Sequence, residues 1–233
     1  MRDEARALPA GARADAGEAR PPGPSAPAAT PASTPERVVE RLLRQTPGVS
    51  PEATPAPDPR ELLPEPIPGP IRVLFLDVDG TLTDGFIVEQ PHGDARHFWV
   101  RDGLAMQWAR DLGVAVVAIS GRRSNSVQQR MTDLGIECHV GVQDKVAVAG
   151  QVLARVGATW ADAVMVGDDL PDVALMKRVA WPIAVADAQR EVRTVARTVT
   201  GAPGGRGAVR EVIEMILKHN GTWPQVLARY EAT

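Results

Sequence analysis

The sequence predicts an α/β protein: a doubly wound, mostly parallel sheet of the Rossmann type, with an inserted β-hairpin and a disordered N-terminal tail. From residue 71 onward, short apolar runs alternate with segments of helical periodicity, which is the pattern of repeated strand and helix units. Clusters of aspartates directly follow two of these runs, at the edge where parallel strands bind ligands. Prolines are concentrated before residue 71, so the folded part of the chain is expected to begin at about that residue.

The proline distribution sets the domain organisation. Sixteen of the 21 prolines lie in residues 1–70, where too few apolar side chains remain to offset the entropy lost on ordering the chain. We expect a disordered tail there. Residues 35–45 are a candidate for a short docking helix, with a transient helix as the alternative, because their apolar side chains share one face and Thr34 can cap the start. The folded domain is expected at 71–219, and 220–233 is assigned to a C-terminal tail.

Five apolar runs have the length and composition of buried parallel strands. In chain order they span 71–76, 114–119, 136–140, 163–166 and 182–185. Apolar residues at helical spacing predict helices in the connections. These helices are expected to follow Asp102 and Ser124 and to span 143–156 and 170–179.

Capping residues mark the ends of the first two predicted helices. The side chain of Asp102 can cap the first helix, and Gly113 can end it. Ser124 opens the second helix, and Gly135 is its expected stop. The residues expected to pack from the first helix are Leu104, Met106, Trp108 and Leu112.

An inserted hairpin interrupts this alternation between residues 85 and 100. Two β-prone segments, 85–89 and 95–100, flank a turn-rich pentad at 90–94. Little of the domain is left to cover the apolar residues that this hairpin exposes, and isolated hairpins are marginal in water. We therefore expect the hairpin to pack on another subunit. The apolar residues concerned are Phe86, Val88, Phe98 and Trp99.

Composition excludes several classes of function. The formal net charge is -3, so no strong positive field favours nucleic-acid binding. The single cysteine, Cys138, cannot form an intrachain disulfide and fits a reducing compartment, where we expect an inert thiol. The start of the chain lacks the apolar stretch of a secretory signal, and no apolar run is long enough to span a bilayer. The expected location is the cytoplasm, without a membrane partner.

Two acidic clusters at strand ends predict a metal site. Asp77 and Asp79 follow the first strand, and Asp168 with two further aspartates follows the fourth. Carboxylates brought to one edge repel each other unless a cation or a shared proton relieves the repulsion. An all-oxygen set that must also hold phosphate oxygens suits Mg²⁺. The two further aspartates are Asp169 and Asp172.

The order of these residues resembles the haloacid dehalogenase superfamily of phosphatases. Its four motifs match the Asp-x-Asp-Gly-Thr loop at 77–81, Ser120, Lys145 and the Gly-Asp-Asp-x-x-Asp segment at 167–172. The resemblance covers about residues 71–217 and implies a phosphatase that works through an aspartyl phosphate.

The resemblance also implies a role for each motif residue. Asp77 is the implied nucleophile, and Asp79 the general acid and base whose backbone carbonyl also binds the metal. Asp77 and Asp168 are the implied carboxylate ligands of Mg²⁺, with Asp169 and Asp172 supporting them. Lys145 and Ser120 are expected to contact the phosphate. The catalytic residues expected are Asp77, Asp79, Ser120 and Lys145, and the metal ligands Asp77, Asp79 and Asp168.

Further segments resemble the capless subfamily of 3-deoxy-D-manno-octulosonate 8-phosphate phosphatases. They are 100–103, 120–124, Arg130 and 204–211. This resemblance implies a sugar-acid phosphate as substrate, bound by planar guanidinium groups, and a homotetramer formed through the hairpin. Trp99 and Gln107 depart from the subfamily pattern. The substrate-binding residues expected are Asp79, Trp99, Val100, Arg101, Asp102, Gly103, Arg122, Arg130 and Lys145.

Three alternatives remain open on the sequence. A sialic-acid-type nonulosonate 9-phosphate phosphatase would carry the same motifs. A phosphoacceptor receiver domain also combines an acidic pair, a hydroxyl and a lysine, but in a different chain order. A non-catalytic scaffold acting through the tail and hairpin would leave the intact motif residues unexplained.

Overall fold

The computed structural model of the chain describes residues 67, 69–91 and 93–231. All of these belong to the unit Pro57–Thr233. The predicted N-terminal tail and its helix at 35–45 lie outside the described residues, apart from residues 67, 69 and 70.

A six-stranded parallel sheet forms the centre of the domain, with strand order β5-β4-β1-β6-β7-β8. Its strands are β1 (Val73–Leu76), β4 (Ala115–Ser120), β5 (Glu137–Val140), β6 (Ala163–Gly167), β7 (Trp181–Ala184) and β8 (Thr198–Val199). A separate antiparallel pair consists of β2 (Val88–Gln90) and β3 (Gly93–Ala95). The predicted fold class is confirmed, and β8 is a strand that the sequence analysis did not identify.

Strand β1 lies in the middle of the sheet because all four of its side chains are apolar and can be buried on both faces. It pairs with β4 on one side and with β6 on the other. The chain winds outward through β4 and β5 and then returns to the opposite side of β1 at β6. A crevice forms at such a reversal, at the carboxyl ends of the strands.

Helices cover the sheet and connect its strands. They are α1 (Val100–Asp111), α2 (Asn125–Leu134), α3 (Lys145–Val156), α4 (Val173–Met176), α5 (Arg190–Val195), α6 (Ala208–His219) and α7 (Trp223–Glu231). The predicted limits of α2 are confirmed: Ser124 Oγ accepts a hydrogen bond from Val127 N at 3.2 Å, and Gly135 ends the helix at φ 66°.

The first helix differs from its prediction because it starts earlier. Helix α1 follows Trp99, so Asp102 lies inside its first turn and does not cap it. The Asp102 carboxylate instead accepts hydrogen bonds from Arg210 N at 2.8 Å and Gly207 N at 3.3 Å, at the start of α6. It thus caps a helix that begins more than a hundred residues later. The expected packing of Leu104 is also wrong, since this side chain is exposed.

The hairpin is present but shorter than predicted. Its strands β2 and β3 have three residues each. The second strand is displaced toward the turn: β3 begins at Gly93, inside the predicted pentad 90–94, and only Ala95 of the predicted strand 95–100 belongs to it. An isolated antiparallel bridge between Thr83 and Phe98 closes its base. Phe86 is 74% exposed, whereas Phe98 is half-buried against the core.

Two C-terminal segments also differ from expectation. In place of a helix at 170–179, a 3-10 turn (Leu170–Asp172) leads into the short α4, because Asp169 and Asp172 form a capping box around a proline. The segment assigned to a C-terminal tail contains α7, whose Tyr230 Oη accepts a hydrogen bond from Trp108 Nε1 at 2.9 Å. Within the described part of the chain, no helix has both the length and the apolar character needed to cross a bilayer.

Candidate active site

Four elements bring polar side chains to the carboxyl edge of the sheet. Asp77 follows β1, Ser120 ends β4, Asp168 follows β6, and Lys145 begins α3. They line one pocket of about 370 Å³ beside the reversal of the winding. Its polar and charged lining residues are Asp77, Asp79, Ser120, Arg122, Lys145, Asp168, Asp169 and Asp172. The structure therefore brings polar residues from all four sequence motifs to one pocket.

Lys145 is the central cation of this pocket. Its ammonium group lies 2.5 Å from Asp77 Oδ1 and 2.6 Å from Asp172 Oδ1, and all three side chains are nearly inaccessible. Burial opposes the positive charge, but Asp77 and Asp172 outweigh it and raise the pKa of Lys145. The lysine therefore carries its charge beside the carboxylate proposed as nucleophile.

Three carboxylates converge beside this lysine. Oxygens of Asp77, Asp168 and Asp172 lie within 4.8 Å of one another. Burial and then the charge of Asp172 raise the pKa of Asp77 well above its usual value, although Lys145 opposes the shift. The same two causes raise the pKa of Asp168 to about 6. Lys145 alone thus does not compensate the acidic cluster, which is the condition that a divalent cation relieves.

Existing hydrogen bonds indicate which of these groups are free to hold a cation. One oxygen of Asp172 accepts from Lys145, and the other accepts from Asp168 N at 3.1 Å and Asp169 N at 3.3 Å. Asp77 and Asp168 therefore have oxygens to offer, whereas Asp172 holds the loop and the lysine. Among the described residues, no hydrogen bond ends on the Asp79 carbonyl oxygen. The donor set of two carboxylates and a carbonyl fits a hard cation such as Mg²⁺.

The sequence analysis missed a side chain that contacts Asp79. Arg96, in the return segment of the hairpin, donates from Nε to Asp79 Oδ1 at 2.5 Å. Its Nη1 also bonds Asp94 and donates to Ser124 Oγ at 2.7 Å. The only sequence signal for this arrangement was the i, i+2 spacing of Asp94 and Arg96, which places both side chains on one face of an extended segment.

A glycine pair, Gly204 and Gly205, packs against the loop that follows β1. A Cβ added at Gly204 would lie 1.7 Å from the Gly80 carbonyl oxygen, and one at Gly205 would lie 2.3 Å from the backbone of Thr83. Gly205 N also donates to Thr81 O at 2.9 Å. The segment before α6 therefore supports the loop that carries Asp79 by direct backbone contact.

The other residues expected to bind substrate separate into two groups. Arg122 lines the pocket, but Trp99, Val100, Arg101, Asp102, Gly103 and Arg130 do not. Val100 and Arg101 are exposed at the start of α1. Arg130 packs on Gly103, because a Cβ there would lie 2.7 Å from Arg130 Nη2. Of these residues, Trp99, Val100 and Arg101 are exposed next to the hairpin, whereas Asp102 and Gly103 are buried.

The family model and the related sequences indicate the same protein family. The haloacid dehalogenase-like hydrolase family matches residues 142–213. The 3-deoxy-D-manno-octulosonate 8-phosphate phosphatase of Salmonella typhi is 38% identical over 153 residues, which is 65% of this chain and 81% of that protein. The Haemophilus influenzae enzyme of the same name is 35% identical over 153 residues, covering 65% of this chain and 85% of its own.

Solved structures agree with these relatives. The 3-deoxy-D-manno-octulosonate 8-phosphate phosphatase of Moraxella catarrhalis, solved with a magnesium ion, a phosphate ion and a KDO molecule, superposes with a TM-score of 0.66 at 33% identity. That match covers 69% of this chain and 93% of the other. The Yersinia pestis phosphatase superposes with a TM-score of 0.64 at 36% identity, over 66% and 84% of the two chains. The chain belongs to the haloacid dehalogenase-like hydrolases and is a phosphatase.

Proposed function

We propose that this phosphatase hydrolyses a sugar-acid phosphate, 3-deoxy-D-manno-octulosonate 8-phosphate, with Mg²⁺ as its cofactor. The observation that carries the proposal is the placement of Asp77 between Lys145 and Asp168 in one pocket at the carboxyl edge of the sheet. The similarity to phosphatases of that name supports the choice of substrate.

The first chemical step is transfer of the phosphoryl group to the protein. A carboxylate oxygen of Asp77 attacks phosphorus, and the bond between phosphorus and the sugar oxygen breaks. Asp79, two residues further on the same loop, gives its proton to the departing oxygen. The products of this step are the free sugar acid and an aspartyl phosphate on Asp77.

The second step returns Asp77 to its starting state. The Asp79 carboxylate takes a proton from a water molecule, which attacks the phosphorus of the aspartyl phosphate. The bond from phosphorus to Asp77 breaks, and inorganic phosphate leaves. One residue thus acts first as acid and then as base, so each turnover leaves it protonated again.

The remaining pocket residues stabilise charge during both steps. Lys145 supplies a fixed positive charge beside the attacked phosphate, and Ser120 supplies a hydroxyl donor. Arg122 can bind a phosphate or carboxylate group through its planar guanidinium. When bound to Asp77, Asp168 and the Asp79 carbonyl, Mg²⁺ neutralises the charges that otherwise keep a phosphate dianion away from a carboxylate.

We also propose that the complete substrate site forms between subunits of a homotetramer. The hairpin exposes Phe86 and Val88, at 74% and 49%, and Trp99 next to it is 38% exposed. Three of the expected substrate residues outside the pocket, Trp99, Val100 and Arg101, are exposed beside this apolar surface, where they can reach the pocket of a neighbour. Association of the hairpins would cover the apolar side chains and close the site in one arrangement.

A phosphate-release screen tests the function. The purified full chain is assayed with Mg²⁺ against 3-deoxy-D-manno-octulosonate 8-phosphate, a nonulosonate 9-phosphate and simple sugar phosphates. We expect the highest kcat/KM for the eight-carbon acid, and no release by the Asp77→Asn variant. Preference for the nine-carbon acid would reassign the substrate, and wild-type protein inactive on every ester would refute the proposal.

A further inference from the structure

Arg96 is a buried arginine at the edge of the active site, although it belongs to none of the sequence motifs. Its side chain is 1% exposed, and its Nε lies 2.5 Å from Asp79 Oδ1. Surface arginines keep the guanidinium in water, because burying this group is costly unless it is paired. Burial of the paired guanidinium therefore indicates that the contact between Arg96 and Asp79 is a built part of the structure.

Several further bonds fix the guanidinium in place. Nη1 donates to Ser124 Oγ at 2.7 Å and also bonds Asp94. Asp94 Oδ1 in turn accepts from the hydroxyls of Ser124 and Ser126, each at 3.1 Å. Ser124 is the N-cap of α2 and thus has a fixed position itself. Because the guanidinium is planar, these partners leave its Nε a single direction in which to donate.

The Asp79 carboxylate depends on this arginine for its orientation. Among the described residues, Arg96 supplies the only side-chain hydrogen bond to Asp79. Asp79 keeps 18% of its side chain exposed and lines the active-site pocket, whereas Arg96 lines the adjoining cavity between the hairpin and α2. The bond occupies Oδ1 and leaves Oδ2 available to the reacting ester.

We propose that Arg96 is a positioning residue that holds the Asp79 carboxyl group, protonated on Oδ2, for proton transfer to the leaving sugar oxygen. The inference rests on the proposed function, in which Asp79 is the general acid. It assigns the hairpin a second role beside assembly, because Arg96 and Asp94 belong to the hairpin while Ser124 belongs to the body of the domain. A purely structural arginine would join these two parts without affecting proton transfer in particular.

Leaving-group dependence separates the two roles. 3-Deoxy-D-manno-octulosonate 8-phosphate releases an alkoxide that must be protonated, whereas 4-nitrophenyl phosphate releases a stable phenolate that needs no proton. Since kcat/KM reports the steps up to the first product, it isolates proton donation from later hydrolysis. For Arg96→Met we expect kcat/KM to fall about a hundredfold on the sugar ester, within the usual range for acid catalysis, and only a few-fold on the aryl ester.

Two further variants and a control complete the test. Arg96→Lys keeps a donor and should recover part of the loss on the sugar ester, even if the methionine variant folds poorly. In an Asp79→Asn background, Arg96→Met should cost no more than about twofold, because residues that act as a unit are not additive. Arg155→Met is the matched control, since Arg155 pairs with Glu137 at 2.5 Å outside the pocket lining. It should leave both activities unchanged.

The outcomes distinguish the two proposals. Equal losses on both esters for Arg96→Met and Arg96→Lys, with folding confirmed by circular dichroism, would overturn the positioning role while leaving the phosphatase intact. Full activity of Arg96→Met on the sugar ester would overturn it as well. A wild-type protein without activity on the sugar ester would refute the proposed function, and the positioning role with it.

Discussion

The ammonium group of Lys145 donates to Asp77 Oδ1 across 2.5 Å, although the two residues are 68 positions apart in the chain. The contact joins the end of the central strand to the first residue of α3. Since both side chains are buried, the pair is stable only while each compensates the charge of the other. The nucleophile proposed for the reaction is thus also part of a buried ion pair.

Replacement of this nucleophile is the first test of the mechanism. We expect Asp77→Asn to reduce phosphate release below detection, because an amide cannot form the acyl phosphate. The fold should persist, since Asp172 still lies 2.6 Å from the lysine ammonium. Phosphate release and circular dichroism are the measurements. A folded variant that retains activity within tenfold of wild type would assign the nucleophile elsewhere.

Loss of one of the proposed metal ligands should weaken the response to Mg²⁺. For Asp168→Ala we expect the Mg²⁺ concentration at half-maximal activity to rise roughly tenfold or more, because one charged ligand is lost. Titration of activity after treatment with a chelator measures this shift. Asp133→Ala, on the exposed side of α2, is the control and should titrate as wild type. Full activity of the chelated wild type would contradict the metal requirement.

The close approach of Gly204 to the loop that follows β1 predicts that a larger residue at this position is not tolerated. Gly204→Ala places a Cβ against the Gly80 carbonyl oxygen, so the loop must move. We expect lower Tm and lower kcat together. Gly150→Ala, inside α3, is the matched control because the added Cβ would meet only the Trp160 side chain, at 3.8 Å. There the change should raise stability by about 0.5–1 kcal/mol. Wild-type kcat in Gly204→Ala would show that the contact does not position the loop.

The half-buried position of Cys138 predicts slow thiol chemistry. Burial raises the pKa of this thiol to about 11. The thiolate is the reactive form, so a raised pKa lowers reactivity at any pH below it. At pH 8 we expect alkylation by iodoacetamide about a hundredfold slower in the folded protein than in urea, with a rate that rises about tenfold per pH unit. The chain has one cysteine, so mass spectrometry reports this site alone. Equal rates in both states would show that the thiol is accessible.

The exposed hairpin predicts how the protein assembles. We expect wild type to be a tetramer by light scattering, and Phe86→Asp to dissociate it, because a buried unpaired charge would be left in the interface. The variant should also lose kcat/KM if neighbouring subunits complete the substrate site. Val199→Asp makes the same change at a 45% exposed residue on the sheet edge and should stay tetrameric. A fully active wild-type monomer would exclude the arrangement.

The sequence by itself determined the α/β class, the limits of α2 and the motif residues of the pocket. These follow from local rules: apolar runs predict buried strands, Ser124 and Gly135 have capping chemistry, and carboxylates at strand ends meet at one edge. Each rule depends on residues that are close together in the chain, and the order of the strands then brings Asp77 and Asp168 side by side.

Only the tertiary structure decided which polar groups satisfy one another. Asp102 was predicted to cap its own helix but caps α6, Arg96 reaches Asp79 from the hairpin, and the segment after residue 220 forms a helix that packs on Trp108. Such contacts depend on the distance and angle between separately folded elements. Neither periodicity nor capping patterns encode that geometry, because a hydrogen bond needs its partner within about 3 Å wherever the chain places it.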